Sequence, residues 1–266
     1  MPYTNIDDAC SLYYKKCGIG NPAILIHGSC LNSEMWNDSF DGLAHQNQVI
    51  AYDQRGYGKS ILPSTKIYSH ENDLNKLCEH LKLEKKVDLI GLSSGAQIAV
   101  DFYLQFPDKV NSLVLVSPAL SGMPDNDETK EIDDKILSTI NLGEYTQTIQ
   151  QVYRHPVFAP AINNTRCNSL LREIIKNHDF KTVTNNPPAA PRLAAYSKLK
   201  EIKVPTLVIL GENDLNYFHM TSNVLQTGIE KAVLKTVSDA GHMVNMEQPD
   251  EFNKILLNFL ANQKSI

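Results

Sequence analysis

The sequence predicts an α/β fold, a mostly parallel sheet flanked by helices and carrying a helical insertion. Three observations predict it. Short apolar runs bounded by turn residues recur along the chain, helical patterns lie between them, and the alternation lapses between Ser121 and Leu199 before it resumes. Strands that alternate with helices imply parallel pairing, because a parallel neighbour needs a crossover long enough to hold a helix.

Taken in order, the residues leading to Cys17-Gly18-Ile19-Gly20-Asn21 read as an antiparallel edge pair with that segment as a turn. The runs Ala23 to Ile26, Val49 to Tyr52, Val87 to Leu92, Leu113 to Val116, Thr206 to Leu210 and Ala232 to Val237 read as strands. Most are almost continuously apolar, as expected of strands covered on both faces. Leu74, Leu77, Cys78 and Leu81 recur at i, i+3, i+4 and i+7, which puts them on one face of a helix. Ala96, Ala99, Val100 and Tyr103 repeat that spacing, as do Phe252, Ile255, Leu256 and Phe259. The lapse holds Pro124, Pro156, Pro160, Pro187, Pro188 and Pro191, with weak helical stretches such as Leu170 to Lys176. It reads as a helical cap inserted between two strands of one sheet. The organisation expected is a single domain over 1–266, with a core of 1–120 and 200–266 and the cap at 121–199.

Composition narrows the function. A chain of 266 residues, 42% hydrophobic and 21% charged, can bury a large core and is not disordered. The net charge of -5 comes from mixed signs without a basic stripe, so nucleic acid is not an expected partner. Five cysteines, an odd number with no CxxC or Cys/His spacing, suggest neither a disulfide framework nor a zinc site. The start of the chain lacks the basic and apolar regions of a signal peptide, and no apolar run reaches the ~18 residues of a membrane span. A soluble cytoplasmic protein is expected.

Gly91-Leu92-Ser93-Ser94-Gly95 falls between the Val87 run and the Ala96 helix and matches G-x-S-x-G, with Ser93 at its centre. Such a strand-to-helix turn lifts its central side chain clear of the sheet, and small flanking residues let strand and helix approach closely. A serine hydroxyl is a weak nucleophile and needs a base, which in turn needs an orienting group. Of the eight histidines, His70, His80 and His178 lie in polar segments and are expected to be solvated. His242 lies in Asp239-Ala240-Gly241-His242-Met243, just after the Ala232 strand, where open α/β sheets bind ligands. Gly211-Glu212-Asn213-Asp214 follows the Thr206 strand, and either Glu212 or Asp214 can hold an imidazole N–H. The order Ser93, Asp214, His242 matches one of three common chain orders for such a triad.

At this point the sequence resembles the α/β-hydrolase superfamily, more narrowly its small cap-bearing esterase, lactonase and C–C hydrolase branch. Ile26-His27-Gly28-Ser29, the D-x-R-G-x-G-x-S loop from Asp53 to Ser60, the elbow, the two turns and Glu247-Gln248-Pro249 carry the likeness. The resemblance implies an eight-stranded sheet. It selects Asp214 over Glu212 as the acid, with Ser93 as nucleophile and His242 as base, and places an oxyanion hole at the backbone N–H groups of Ser29 and Ser94. It implies that the Asp53 loop and His27 are structural, and that Phe, Tyr, Leu and Met of the cap line the pocket. Cys30 reads as a small apolar residue rather than a second nucleophile.

The expected activity is cleavage of a small-molecule ester-like acyl bond through an acyl-enzyme, with no metal or organic cofactor. Two rivals share the scaffold: a cofactor-free lyase or oxygenase with His242 as base, and a slow-turnover ligand receptor. A carboxylate-bearing substrate would call for an arginine in the pocket, and Arg154, Arg166, Arg172 and Arg192 all fall in the cap.

Overall fold

A computed structural model of the chain describes residues 2–6, 10–60, 67–124, 127–180 and 194–263. Pro187, Pro188, Pro191 and Arg192 lie outside the described residues. Among the described residues there are eight strands: β1 (Tyr3–Asn5), β2 (Ser11–Cys17), β3 (Asn21–Ile26), β4 (Asn47–Tyr52), β5 (Val87–Leu92), β6 (Val110–Val116), β7 (Thr206–Gly211) and β8 (Ala232–Val237). They form one sheet in the order β1-β2-β4-β3-β5-β6-β7-β8. All neighbours from β4 to β8 are parallel, while β1 with β2 and β2 with β4 are antiparallel.

The apolar runs are continuous because alternate residues feed two cores. Leu25, Ile90, Val114, Val116 and Ile209 pack on one face with Trp36, Phe252 and Leu256. Ile24, Ile26, Leu89, Leu113, Leu115 and Val208 pack on the other with Leu74, Leu77, Ala99 and Phe102. The first face is covered by α1 (Asn37–Ala44) and the C-terminal α10 (Pro249–Gln263), the second by α2 (His70–His80) and α3 (Ser94–Gln105). Ser69 caps α2 by accepting the Asn72 amide at 3.1 Å, an interaction usually worth ~1 kcal/mol.

Two expectations change in detail. The N-terminal pair is antiparallel and at the sheet edge, but the Cys17 to Asn21 turn does not join its strands; it leads from β2 to β3, and β4 lies between those two. β8 is the opposite edge strand, and most of its residues are exposed or half-buried rather than buried. Its apolar residues therefore overstate its burial: only β7 neighbours it.

Between β6 and β7 the chain builds α4 (Lys130–Asn141), α5 (Tyr145–Arg154), α6 (Ala159–Asn163) and α7 (Asn168–Lys176). Their buried faces, including Ile140, Val152, Leu171 and Ile175, continue the first core. The chain leaves and re-enters this segment at one place, since Ser121 accepts the amides of Ala195 at its hydroxyl (3.1 Å) and Tyr196 at its carbonyl (3.0 Å). After β7 come α8 (Asn216–Gly228) and, past β8, the short α9 (Val244–Glu247).

Candidate active site

Ser93 sits between the end of β5 and the first residue of α3, with φ 57° and ψ -118°. A non-glycine residue held there stores ~1–3 kcal/mol of strain. The surroundings impose it. The Ser93 amide donates to the Val116 carbonyl at 2.9 Å, and its own carbonyl accepts from Ala96, Gln97 and Ala119. The flanking glycines are required by packing: a Cβ on Gly91 would strike the Gly95 carbonyl, and one on Gly95 the carbonyls of Ile26 and His27. Strand and helix are thus pressed together, and Ser93 lines a cavity of about 230 Å³ at the carboxyl ends of the strands.

The acid and histidine turns are locked to each other. Glu212 and Asn213 donate their amides to the carbonyls of Val237 (2.9 Å) and Ala240 (2.8 Å). Gly211 lacks the Cβ that would meet the carbonyls of Ala240 and Gly241. Buried Glu247 accepts the amides of Gly241 (2.8 Å) and Met243 (3.0 Å). Burial pushes the Glu247 carboxyl up, opposed by those two bonds. His242 Nδ1 then lies 3.2 and 3.1 Å from the two oxygens of Asp214, with side chains only 4% and 1% exposed. Glu212, left open by the residues alone, is exposed and accepts instead from the Asp239 amide. A proton on Nδ1 facing Asp214 leaves Nε2 as the acceptor of the neutral ring. Phe218 packs on the imidazole at 4.2 Å between ring centroids, and His242 lines the same cavity as Ser93.

Ser29 also lines the cavity, and its hydroxyl donates to that of Ser94 at 3.0 Å. Ser94 is the first residue of α3, so its amide has no acceptor within the helix and sits at the positive end of the helix dipole. Cys30 lines the cavity beside Ser29, and burial, with the Asp133 charge adding, pushes its thiol up to about 12. Such a thiol is a poor nucleophile.

The Asp53 loop is a structural knot, as the resemblance implies. Asp53 accepts the amides of Ser33 and Lys59, each at 2.8 Å, and Arg55 makes two 2.8 Å bonds to Asp73, both nearly fully buried. Buried His27 accepts the Gln54 amide at Nε2 and faces the Gly28 carbonyl at Nδ1. His80 is exposed, as expected, but His178 is not. It stacks on Tyr57 (4.9 Å) and meets Phe180 edge-on (4.5 Å), and burial lowers it to about 4. Half-buried His70 is likewise lowered to about 4 by desolvation. Polar sequence neighbours do not reveal which rings a distant loop covers.

The segment between β6 and β7 closes the cavity with residues that sequence reasoning missed. Among the described residues its lining is Ile136, Val152, Val157 and Phe158, with a polar set of Thr129, Asp133 and His155. Phe158 matches the expected residue types; the aliphatics are the β-branched Ile and Val instead of Leu and Met. His155 Nε2 is 3.1 Å from Asp133 Oδ1, and the Val157 amide donates to its Nδ1 at 3.2 Å. Desolvation raises the Asp133 carboxyl, but hydrogen bonds from His155 and Thr129 outweigh it and hold the group below its ordinary value. An aspartate in the first turn of a helix normally answers the helix dipole, so Asp133 gave no signal of its own. Arg154, Arg166 and Arg172 are exposed and line no part of the cavity. No group of three or more potential metal ligands occurs among the described residues, and no helix there is long and apolar enough to cross a membrane.

Comparison with known proteins agrees with this architecture. A family described as alpha/beta hydrolase fold matches residues 21–150. The 2-hydroxy-6-oxononadienedioate/2-hydroxy-6-oxononatrienedioate hydrolase of Escherichia coli is 28% identical over 97% of this chain and 95% of its own length. Among solved structures, a thermophilic esterase from Thermogutta terrifontis superposes with a TM-score of 0.81 at 25% identity, over 98% of this chain and 97% of that one. The enol-lactonase from Burkholderia xenovorans LB400 shares the fold with a TM-score of 0.83 at 23% identity, covering 98% of this chain and all (100%) of its own. The family match and the superposition on solved structures agree with the eight-stranded, mostly parallel sheet: the chain has the α/β-hydrolase fold.

Proposed function

We propose that the chain is a serine hydrolase that cleaves an ester-like acyl bond of a small molecule, with Ser93, His242 and Asp214 as its triad. The observation that carries the reading is the buried His242–Asp214 pair, opening on the same cavity as a serine held at φ 57°. His242 Nε2 takes the Ser93 proton as Oγ attacks the carbonyl. The oxyanion is received by the backbone amides of Ser29 and Ser94, each such donor typically worth ~3 kcal/mol to the transition state. Collapse expels the alcohol, which takes the proton from His242 and leaves Ser93 acylated. Water, deprotonated by His242, then releases the acid and restores the hydroxyl. Asp214 holds the ring in the tautomer this needs and offsets its transient charge. The segment 121–199 acts in the same domain as the cap that shapes the substrate pocket.

The Escherichia coli relative is named as a hydrolase of a hydroxy-oxo-dienedioate, a compound with no ester to cleave, and that likeness favours a second reading in which the bond broken joins carbon to an acyl carbon. The ester reading is preferred because no Lys or Arg lines the cavity among the described residues, whereas Asp133 does. A fluorophosphonate probe and a panel of acyl esters test the proposal. Covalent labelling at Ser93, and ester turnover abolished by Ser93→Ala in a folded protein, are expected. Absence of labelling, or full activity in that variant, would point instead to a lyase or a non-turning receptor.

A further inference from the structure

The cavity has two unlike walls. The sheet side carries Ser93, His242 and Ser29; the opposite side carries apolar residues broken by one polar cluster, Thr129 with the Asp133–His155 pair. His155 is 7% exposed and has both ring nitrogens committed. Its Nδ1 accepts the Val157 amide, so the ring is in its neutral form and its remaining proton, on Nε2, points at Asp133. A neutral imidazole orients the carboxylate without cancelling its charge. Arg154, Arg166 and Arg172 are exposed outside the cavity, so none of them neutralises it from within. The charge is felt across the pocket, since Asp133 adds to the upward shift of the Cys30 thiol beside the Ser29 loop.

A carboxylate in this position has spare acceptor capacity. His155 and Thr129 each donate one hydrogen bond to it, and its two oxygens together offer about four lone-pair directions. The Asp133 side chain is 55% exposed, so it lines the cavity where water also reaches it, and Ile136, Val152, Val157 and Phe158 line the same cavity. We propose that Asp133, oriented by His155, is a specificity-determining residue that selects substrates bearing a cationic or hydrogen-bond-donating group remote from the scissile carbonyl and rejects those bearing a carboxylate there. This deepens the hydrolase reading and rests on it for turnover, though not for binding.

The test uses matched aryl esters whose chains end in methyl, hydroxymethyl, trimethylammonium or carboxylate, together with their non-hydrolysable ether analogues. For the esters the readout is the ratio of kcat/KM values between probes. For the ethers it is the ratio of Kd values on the Ser93→Ala protein. The trimethylammonium and hydroxymethyl probes should exceed the methyl probe, and the carboxylate should fall at least tenfold below it. Asp133→Asn should bring the charged probes within about threefold of the methyl probe, with the change in KM and Kd rather than in kcat. His155→Gln, which retains an N–H donor towards Asp133, should preserve the order. A wild-type preference for the carboxylate probe, or an order unchanged by Asp133→Asn, overturns the proposal. If no ester is turned over while the ether analogues keep the predicted order, the hydrolase reading fails and the role of Asp133 stands.

Discussion

The two walls of the cavity are built by different rules. On the sheet wall, backbone geometry dictates the residues. Ser93 stands where the chain must reverse between β5 and α3, and Gly91, Gly95 and Gly211 stand where a Cβ would collide with a neighbouring carbonyl. On the helical wall nothing in the backbone demands Asp133 or His155. They occupy ordinary helical and helix-end positions, and matter only because α4 and α5 turn them towards the cavity. The proposed chemistry thus sits where the fold tolerates few residues, and the proposed selectivity where it tolerates many. Sequence change should therefore alter the substrate far more readily than the reaction.

The largest effect expected on the sheet wall comes from Asp214→Asn. It keeps the shape but favours the wrong tautomer of His242, and kcat should fall by ~10⁴-fold with little change in KM. Steady-state kinetics beside an unfolding curve would read this, and a loss below tenfold would remove Asp214 from the triad. Next comes the core support of that wall. Asp73→Ala removes the carboxylate that makes two bonds to the buried Arg55 guanidinium and should destabilise the fold by ~3–5 kcal/mol in denaturant titration. An equal loss of turnover at temperatures where the variant stays folded would show that the Asp53 loop does more than support.

The joint between the two walls supplies a pH test. Asp101 on α3 accepts a hydrogen bond from Ser121, the residue that ties the two ends of the inserted segment, at 2.6 Å. Burial pushes its carboxyl up to about 7, despite the bonds from Ser121 and Gln97. In the unfolded chain it titrates near ~4, so between these values the folded protein binds the extra proton. Its contribution is therefore fully present below about pH 4 and is lost as pH rises through about 7. Asp101→Asn should flatten that decline and raise stability at pH 8 by ~1–3 kcal/mol. An unchanged pH profile would show that Asp101 is ionised without penalty. The smallest effect is a gain: Ser93→Gly relieves the φ 57° strain and should melt ~1 kcal/mol higher than Ser93→Ala, both being inactive. Equal stability would mean that the elbow stores no strain.

Much of the fold was legible because two physical periods are strong. Strands covered on both faces read as unbroken apolar runs, and β5 and β7 are buried throughout. The run of β8 misled because apolar residues on an edge strand look the same in sequence as those under two layers. The pairing of β2 with β4 rather than β3 was hidden, since the Cys17 to Asn21 turn carries no information about which strand will lie between its arms. In the site, Ser93 and the two turns were visible through their glycines and their order. The choice between Glu212 and Asp214 rested on the family resemblance and not on the residues themselves, because the two lie two residues apart on one turn and only the approach of His242 separates them physically.

The amino-acid sequence alone determined the layered architecture, the elbow and the turns that carry the proposed triad, because steric demands at tight turns and the burial of apolar runs act locally and leave a local record. The tertiary structure alone decided that His178 is buried, that Arg154, Arg166 and Arg172 are exposed and that Asp133 and His155 line the pocket. Those outcomes depend on which helix face meets which distant surface, and short-range sequence patterns cannot encode a contact whose two halves lie far apart along the chain.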